Sequence, residues 1–488
     1  MPNDITPDLA LQVQAMKVLA ALPRPVMELA ETFVAAGEEI ALVGGPVRDA
    51  FLGTDPKDID LTTSATPERT EAILKDWGAT TWDMGREFGT IGGARGGLDV
   101  EITTYRTDEY EVGSRKPVVA FGDSLDGDLS RRDFTVNAMA VRLPGLELVD
   151  PHGGLADLAA GLLRTPVTAE QSFDDDPLRI MRAARFASQL GFAVEQDVRE
   201  AMERMAGRLE IVSAERVRAE IERLLVGGHP RAGLELMVET GVADVVLPEL
   251  AVLRETVDEH GRHKDVYQHT LTVLDQAIDL ETGPDGPVPG PDLTLRLAAV
   301  MHDVGKPATR RFEPDGGVSF HHHELVGAKM TAKRMRALKF DKQAIKDVSR
   351  LVELHLRFHG YGGGAWTDSA VRRYVTDAGP LLERLHRLTR ADSTTRNRRK
   401  AARLSAAYDD LERRIAELAE QEELDAIRPD LDGGRIMELL GIRPGPLVGR
   451  AYQHLLSLRM DNGPMEPEQA EAALLEWWAQ QPESAQAE

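Results

Sequence analysis

Two hydrophobic periods divide this chain, and the point where one replaces the other constrains its fold more than any other feature. Up to about residue 165, apolar side chains come in short runs or at alternate positions. Ile40 to Val43 is a continuous run, Asp58-Ile59-Asp60-Leu61-Thr62 alternates polar with apolar, and residues 98–106 (LDVEITTYR) alternate again. A period of two is that of a half-buried strand. From residue 168 the spacing becomes three and four, as in PLRIMRAARFASQL (177–190) and SAERVRAEIERLL (213–225), which is the stripe of an amphipathic helix. The expectation is an α/β or α+β first third followed by a helical remainder. The Pro/Gly-rich segment 281–292 reads as a loop between helices, and LGIRPGPLVG (440–449) as a break.

The chain has no cysteine among its 488 residues. It therefore has no disulfide partners and no thiolate zinc site, and any metal must be held by His, Asp or Glu. The N-terminus lacks the charged and apolar regions of a signal peptide. No apolar window approaches the ~18 residues of a membrane span. Both features point to the cytoplasm and to no membrane partner. The formal net charge is −23, which taken globally disfavours nucleic acid. Basic residues nevertheless cluster: Arg106, Arg115, Lys116, Arg131 and Arg132 early, and Arg396, Arg398, Arg399, Lys400 and Arg403 late. Each cluster is either a phosphate contact or a solvated face.

Asp58 and Asp60 lie two apart on an expected strand, so both carboxylates share one face. Two such charges repel unless solvent or cations compensate. Mg²⁺ suits them, because it takes oxygen ligands and often one or two carboxylates plus substrate phosphates. Upstream, Gly44-Gly45-Pro46 can turn into a helix whose start favours anions, and Arg48 sits one turn further on. A DxD pair alone is usually a solvated surface pair. The order strand, Gly-Gly turn, helix, DxD strand between Ile40 and Thr62 is far more specific.

At this point the sequence resembles the DNA polymerase β-type nucleotidyltransferase superfamily. LVGGPVRDAFLGTDPKDIDLTT (42–63), RRDFTVNAMA (131–140), DPHGGLADLAAGLLRTP (150–166) and DDPLRIMRAARFA (175–187) are similar to its tRNA nucleotidyltransferase and poly(A) polymerase branch. One departure is Asp175, where the usual pattern has Glu. The resemblance implies an α+β fold: a polymerase β-like head with a mixed sheet, then a mostly α-helical neck, HD body and tail. It implies that Asp58 and Asp60 are catalytic and hold Mg²⁺. It also implies that Gly44, Gly45, Arg48, Arg132, Asp133, Asn137, Asp176, Arg179, Arg182 and Arg185 bind the nucleotide. Spaced by three, Asp176 and Arg179 are expected on one helical face. There the resemblance makes them a protein template that selects CTP and then ATP; the alternative is an intrahelical ion pair. Glu101 is a candidate third carboxylate. The partner implied is tRNA, held by backbone and shape, with Arg398, Arg399 and Lys400 as phosphate contacts.

A second constellation follows. His269, the pair His302-Asp303, His323, His355 and Asp392 occur in the order H…HD…H…H…D, with Gly305 two residues after the pair. This resembles the HD phosphohydrolase domain. The resemblance implies a site of His269, His302, Asp303 and Asp392 holding Mg²⁺, Mn²⁺ or Ni²⁺. His323 and His355 are placed for a second metal or a phosphate, and Lys306 for a phosphate. His321 and His322 compete with His323.

The expected domains are 1–165 (head), 166–245 (neck), 246–395 (HD) and 396–488 (RNA-binding tail). Full CCA addition is favoured by the DDPLR segment, the HD set and ELLGIRPGPLVGRAYQHLL (438–456). Poly(A) polymerase is disfavoured by Glu87, which interrupts a doubly basic stretch at Met84–Phe88. A CC-adding enzyme would lack the loop that residues 107–122 supply. An A-adding enzyme and an RNA-binding protein with inactive sites complete the alternatives.

Overall fold

The alternating segments of the first third pair into a seven-stranded sheet. Its strands are β1 (Ile40–Val43), β2 (Asp60–Thr63), β3 (Thr80–Gly85), β4 (Thr90–Arg95) and β5 (Leu98–Thr104). A separate hairpin, β6 (Arg106–Glu109) and β7 (Val118–Phe121), precedes the last two, β8 (Ala140–Arg142) and β9 (Glu147–Val149). The sheet order is β3-β4-β5-β2-β1-β8-β9. β2 and β5 run parallel and the other neighbours antiparallel, so the sheet is mixed. This computed structural model describes residues 7–54, 59–109, 118–121, 124–256, 265–314, 317–358, 361, 366–394, 397–422 and 428–482. Among them, the expected strand–turn–helix–strand order is found as β1, helix Gly45–Phe51 and β2. The alternating stretch 98–106 breaks at Tyr105, between β5 and β6.

The chain divides into two compact units, Met1–Pro248 and Glu249–Glu488. In the first, helix Leu178–Leu190 buries Leu178, Ile180, Met181 and Phe186. Its Ala184 and Ser188 are small enough for close neighbours. A Cβ on Gly233 would lie 2.7 Å from the Ala184 carbonyl, and one on Gly227 would lie 2.3 Å from Ser188 Oγ. Glycine at both positions lets the following helices approach.

The second unit is helical. Helix Leu293–Met301 is mostly apolar, and its residues from Leu295 to Met301 are buried, Arg296 as an ion pair with Glu281 at 2.7 Å. Asp292 caps it by accepting from the Leu295 N–H at 2.7 Å, and Arg384 holds the same carboxylate at 2.7 Å. A smaller core of Leu431, Ile436, Leu440, Ala451, Leu455, Ala470 and Leu474 gathers the last helices. No helix among the described residues is long and apolar enough to cross a membrane.

Candidate nucleotide site and metal centre

Asp60 opens β2 and is in parallel register with Glu101 of β5. Their side chains therefore stand on one face of the sheet, both exposed. Asp58 lies outside the described residues, so Glu101 is the carboxylate the structure brings beside Asp60. Two adjacent exposed carboxylates are the hard oxygen donors that fit an Mg²⁺-type ion. They line a cavity of about 460 Å³. Its remaining wall carries Arg106, Arg131, Arg132, Arg179 and Arg182, with Asp133 and Asp176 among them. A pocket with acids at one end and arginines around it suits a polyphosphate brought to metal ions.

Local sequence explains how the arginines are held. Asp128 is fully buried on helix Leu125–Ser130, and its spacing puts Arg131 and Arg132 within reach. Arg131 donates to Asp128 Oδ1 at 2.9 Å, and Arg132 to Oδ2 at 3.2 Å. Burial opposes ionisation of Asp128, but Arg132 and Arg131 hold its carboxyl below the usual range. Sequence reasoning missed Asp128; its i, i+3 and i, i+4 relation to two arginines was the available signal.

Asp133 is also buried. Its Oδ1 accepts from the Phe134 N–H at 2.8 Å and from Asn137 at 3.1 Å, and Arg182 pairs with Oδ2 at 2.6 Å. Burial again opposes the charge, and Arg182 overcomes it, keeping the pKa lowered. Asn137 Oδ1 in turn accepts from Arg48 at 2.7 Å. Arg48 and Asn137 thus stand behind the cavity, supporting the residues that line it.

Gly44 has φ 76°, and a Cβ there would lie 3.0 Å from the Arg132 guanidinium. Its N–H donates to the Met139 carbonyl at 3.2 Å, so this amide is already engaged and does not face the cavity free. Gly45 begins the short helix. Arg185 is buried against Glu220 at 2.5 Å and stacks on Phe186 at 3.9 Å. Burial lowers its pKa to about 10. It does not line the cavity.

The expectation that Asp176 and Arg179 share a helical face is corrected. Asp176 has extended backbone and Pro177 caps the helix, which starts at Leu178. Pro177 disfavours helical geometry at the residue before it. Asp176 and Arg179 still line one cavity and share a backbone hydrogen bond at 2.9 Å, but among the described contacts their side chains have other partners. Asp176 Oδ1 accepts from the Leu178 N–H at 3.1 Å, while Oδ2 meets Arg216 at 2.9 Å. Arg179 donates to Ser172 Oγ at 2.9 Å and to the Arg131 carbonyl.

In the second unit the histidines and aspartates of the constellation converge. His302 and His355 end their helices, and His323 begins one. Each uses one device. The Nδ1 atoms of His302, His323 and His355 bond the carbonyls of Ala299, Phe320 and Val352 at 2.8, 2.8 and 2.6 Å. This fixes the proton on Nδ1 and turns Nε2 inward. Among the described residues, none of these three buried Nε2 atoms has a hydrogen-bond partner. His269 is held differently, through Nδ1 and Thr394 Oγ1 at 3.1 Å. Thr394 was not singled out from the sequence, where a lone Thr carries no signal.

The inward atoms form two groups, His269–His302–Asp392 and Asp303–His323–His355, with donors within 4.8 Å of one another in each. Asp303 spans them. Its Oδ2 lies 3.2 Å from His302 and 3.6 Å from His269, and its Oδ1 lies 3.2 Å from His323. Buried imidazole nitrogens facing carboxylate oxygens fit a cation between them. Burial opposes charge on His302, but Asp303 raises its pKa. Burial pushes His355 down to about 3, leaving it neutral and able to donate its lone pair. His321 and His322 are exposed, whereas His323 is buried. Lys306 reaches Asp303 at 2.9 Å. Gly305 permits the closure: a Cβ there would lie 2.1 Å from the His323 carbonyl.

The fold thus comprises a mixed-sheet head with an arginine-lined cavity and a helical unit with a buried His/Asp cluster that fits a metal ion. Three family models agree with that division: "Poly A polymerase head domain" at 40–164, "Probable RNA and SrmB- binding site of polymerase A" at 191–253, and "HD domain" at 266–397. An A-adding tRNA nucleotidyltransferase of Deinococcus radiodurans is 34% identical, covering 91% of this chain and 96% of the relative. A CCA-adding enzyme of Streptococcus thermophilus is 32% identical, covering 89% and 92%. The crystal structure of the Bacillus stearothermophilus CCA-adding enzyme in complex with CTP matches with a TM-score of 0.66 at 25% identity, covering 93% of this chain and 98% of that one. The chain belongs to the tRNA nucleotidyltransferase family that contains the CCA-adding enzymes.

Proposed function

We infer that this chain builds or repairs the 3′ CCA end of tRNA, without a nucleic-acid template, from CTP and ATP, and that its second unit is a metal-dependent phosphohydrolase. The observation that carries the first part is the Asp60–Glu101 pair opening onto an arginine-lined cavity that also contains Asp176 and Arg179. The tRNA 3′ hydroxyl attacks the α-phosphate. A phosphodiester bond forms, the bond to the β-phosphate breaks, pyrophosphate leaves, and the hydroxyl proton passes to solvent. Asp58 and Asp60 would hold Mg²⁺, which when bound lowers the hydroxyl pKa and neutralises the leaving group. Arg131 and Arg132, anchored by Asp128, meet the triphosphate. Asp133 orients Arg182. Asp176 and Arg179 offer acceptor and donor atoms to the base edge. Positioning and charge compensation carry most of the rate.

In the second unit, His269, His302, Asp303 and Asp392 would hold a divalent ion, Mg²⁺, Mn²⁺ or Ni²⁺, with His323 and His355 as further ligands. When bound, that ion supplies an activated water for phosphate-ester hydrolysis. On this reading residues 1–165, 166–245, 246–395 and 396–488 act as head, neck, HD unit and RNA-binding tail, in the cytoplasm.

The test is nucleotide addition to tRNAs ending before the first C, after CC and after CCA, with CTP and ATP separately and together. Addition of C, C and A followed by a stop is the expected result. Arrest after CC, or A-only addition, would assign the chain one half of a divided activity, and long A tails would make it a poly(A) polymerase.

A further inference from the structure

A second, larger cavity lies in the second unit, and none of the converging histidines lines it. It has a volume of about 1260 Å³ and runs between helices His323–Ala337 and Lys342–Leu354, closed at one end by residues 376–381. Leu325, Ala332, Ile345 and Leu381 supply an apolar floor. Its rim carries Lys329, Arg336, Lys339, Lys342 and Lys346, all exposed.

The charge balance here is opposite to that of the whole chain. Between Lys329 and Arg350 there are eight basic and two acidic residues, in a protein of net charge −23. The acids that line the groove are already engaged. Glu353 pairs with Arg350 at 2.9 Å, Asp377 with Arg357 at 2.8 Å, and Asp347 accepts from Gln343 at 2.7 Å. Among the described residues, none of Lys329, Arg336, Lys342 and Lys346 has an ion-pair partner. The cations are therefore uncompensated, and their stems can lie over the apolar floor while the heads stay in water. Lys339 adds a second feature. It sits at the turn between the two helices with φ 62°, a left-handed conformation that glycine or asparagine would adopt with less strain.

We propose that this lysine-rimmed groove is a docking surface for the phosphate backbone of tRNA, separate from the cavity that binds the nucleotide. The proposal rests on the CCA-adding reading for the identity of the RNA. Composition selects RNA over a protein partner. Protein interfaces are depleted in lysine and centred on aromatic anchors, whereas this rim is mostly lysine. Lysine is a point charge suited to phosphate contacts that position an RNA without reading its sequence. An acidic chain that binds a polyanion needs a local reversal of sign, and this groove provides one.

The test is the full-length triple variant Lys329→Glu/Lys342→Glu/Lys346→Glu, with Lys→Gln at the same positions as a milder second variant. Binding of tRNA lacking its CCA end is measured without nucleotide, from 50 to 200 mM salt. C addition to a short acceptor-stem hairpin is measured alongside. The expected result is a Kd for tRNA raised about tenfold or more, with the log–log salt slope smaller by about 2–3. The Gln variant should be intermediate, and addition to the hairpin unchanged. Wild-type Kd and salt slope in the Glu variant would overturn the proposal and leave the groove to a protein helix or to solvent. Equal losses on hairpin and tRNA would also overturn it, because the defect would then lie in the fold or active site. A wild-type chain that binds tRNA but adds no nucleotide would sink the CCA-adding reading instead, with the groove still judged by the Kd ratio.

Discussion

In the head, the buried carboxylates Asp128 and Asp133 are each met by arginines at 2.6–3.2 Å, which fixes the arginines that line the cavity. In the second unit, three buried histidines turn unpartnered Nε2 atoms toward one another and toward Asp303. The first site is organised before any ligand arrives, so a nucleotide meets groups that are already aimed. The second is incomplete as protein alone, because a buried lone pair without a partner is costly. On the proposed reading, one site receives charge transiently and the other retains an ion.

That contrast can be broken most sharply by Asp60→Ala. Nucleotide addition should fall by about a thousandfold or more, the scale of losing a principal transition-state electrostatic group, while metal-dependent phosphatase activity remains. Asp303→Ala should do the reverse, removing metal retention measured by elemental analysis and leaving addition intact. If either folded variant lost both activities, independent sites would be the wrong picture.

Next in size is the anchoring of the arginines. Asp128→Asn leaves two guanidinium groups around a neutral buried partner. It should cost about 3 kcal/mol in urea unfolding, with addition weakened through KM. The same carboxylates set an acid limit. The arginines hold their folded pKa values below 3.8, the ordinary aspartate value. The stability they contribute is therefore present above that value and is lost as pH falls through it toward the folded values. Urea titrations at pH 7, 4 and 3 should show the loss, and Asp128→Asn should flatten it.

The metal centre should respond over a different range. Asp303 raises the pKa of His302, so protons compete with the ion from above the ordinary histidine range. Metal affinity measured by calorimetry should fall by about tenfold per pH unit below that pKa, while addition keeps its affinity for CTP. The smallest expected effect is that of Gly305→Ala. The added Cβ would meet the His323 carbonyl and should cost about 1–3 kcal/mol, with weaker metal retention as the accompanying sign.

Much of this was legible along the chain. The period-two runs gave way to helical spacing where the sheet gives way to helices, and the six residues from His269 to Asp392 were identified before their convergence was visible. Asp128 was overlooked because a buried aspartate near arginines looks, in sequence, like any solvated acidic residue. Asp176 and Arg179 were identified, yet their geometry was misjudged. Spacing by three was weighed as helical, while Pro177 kept the preceding residue extended. Asp58 and residues 110–117 lie outside the described residues, and the stretch expected as a loop at 107–122 pairs as strands at Arg106–Glu109 and Val118–Phe121.

By itself, the sequence determined where strands give way to helices, the absence of thiol chemistry, the two motif sets and the family they resemble. These depend on residue identity and local period, which a linear chain displays. Tertiary structure alone decided that Glu101 stands beside Asp60, that Asp303 spans two ligand groups, and that Arg216 rather than Arg179 holds Asp176. Such facts depend on strand register and helix packing between residues far apart along the chain. Burial and the competing partners at those sites settle them, and neither is written in local spacing.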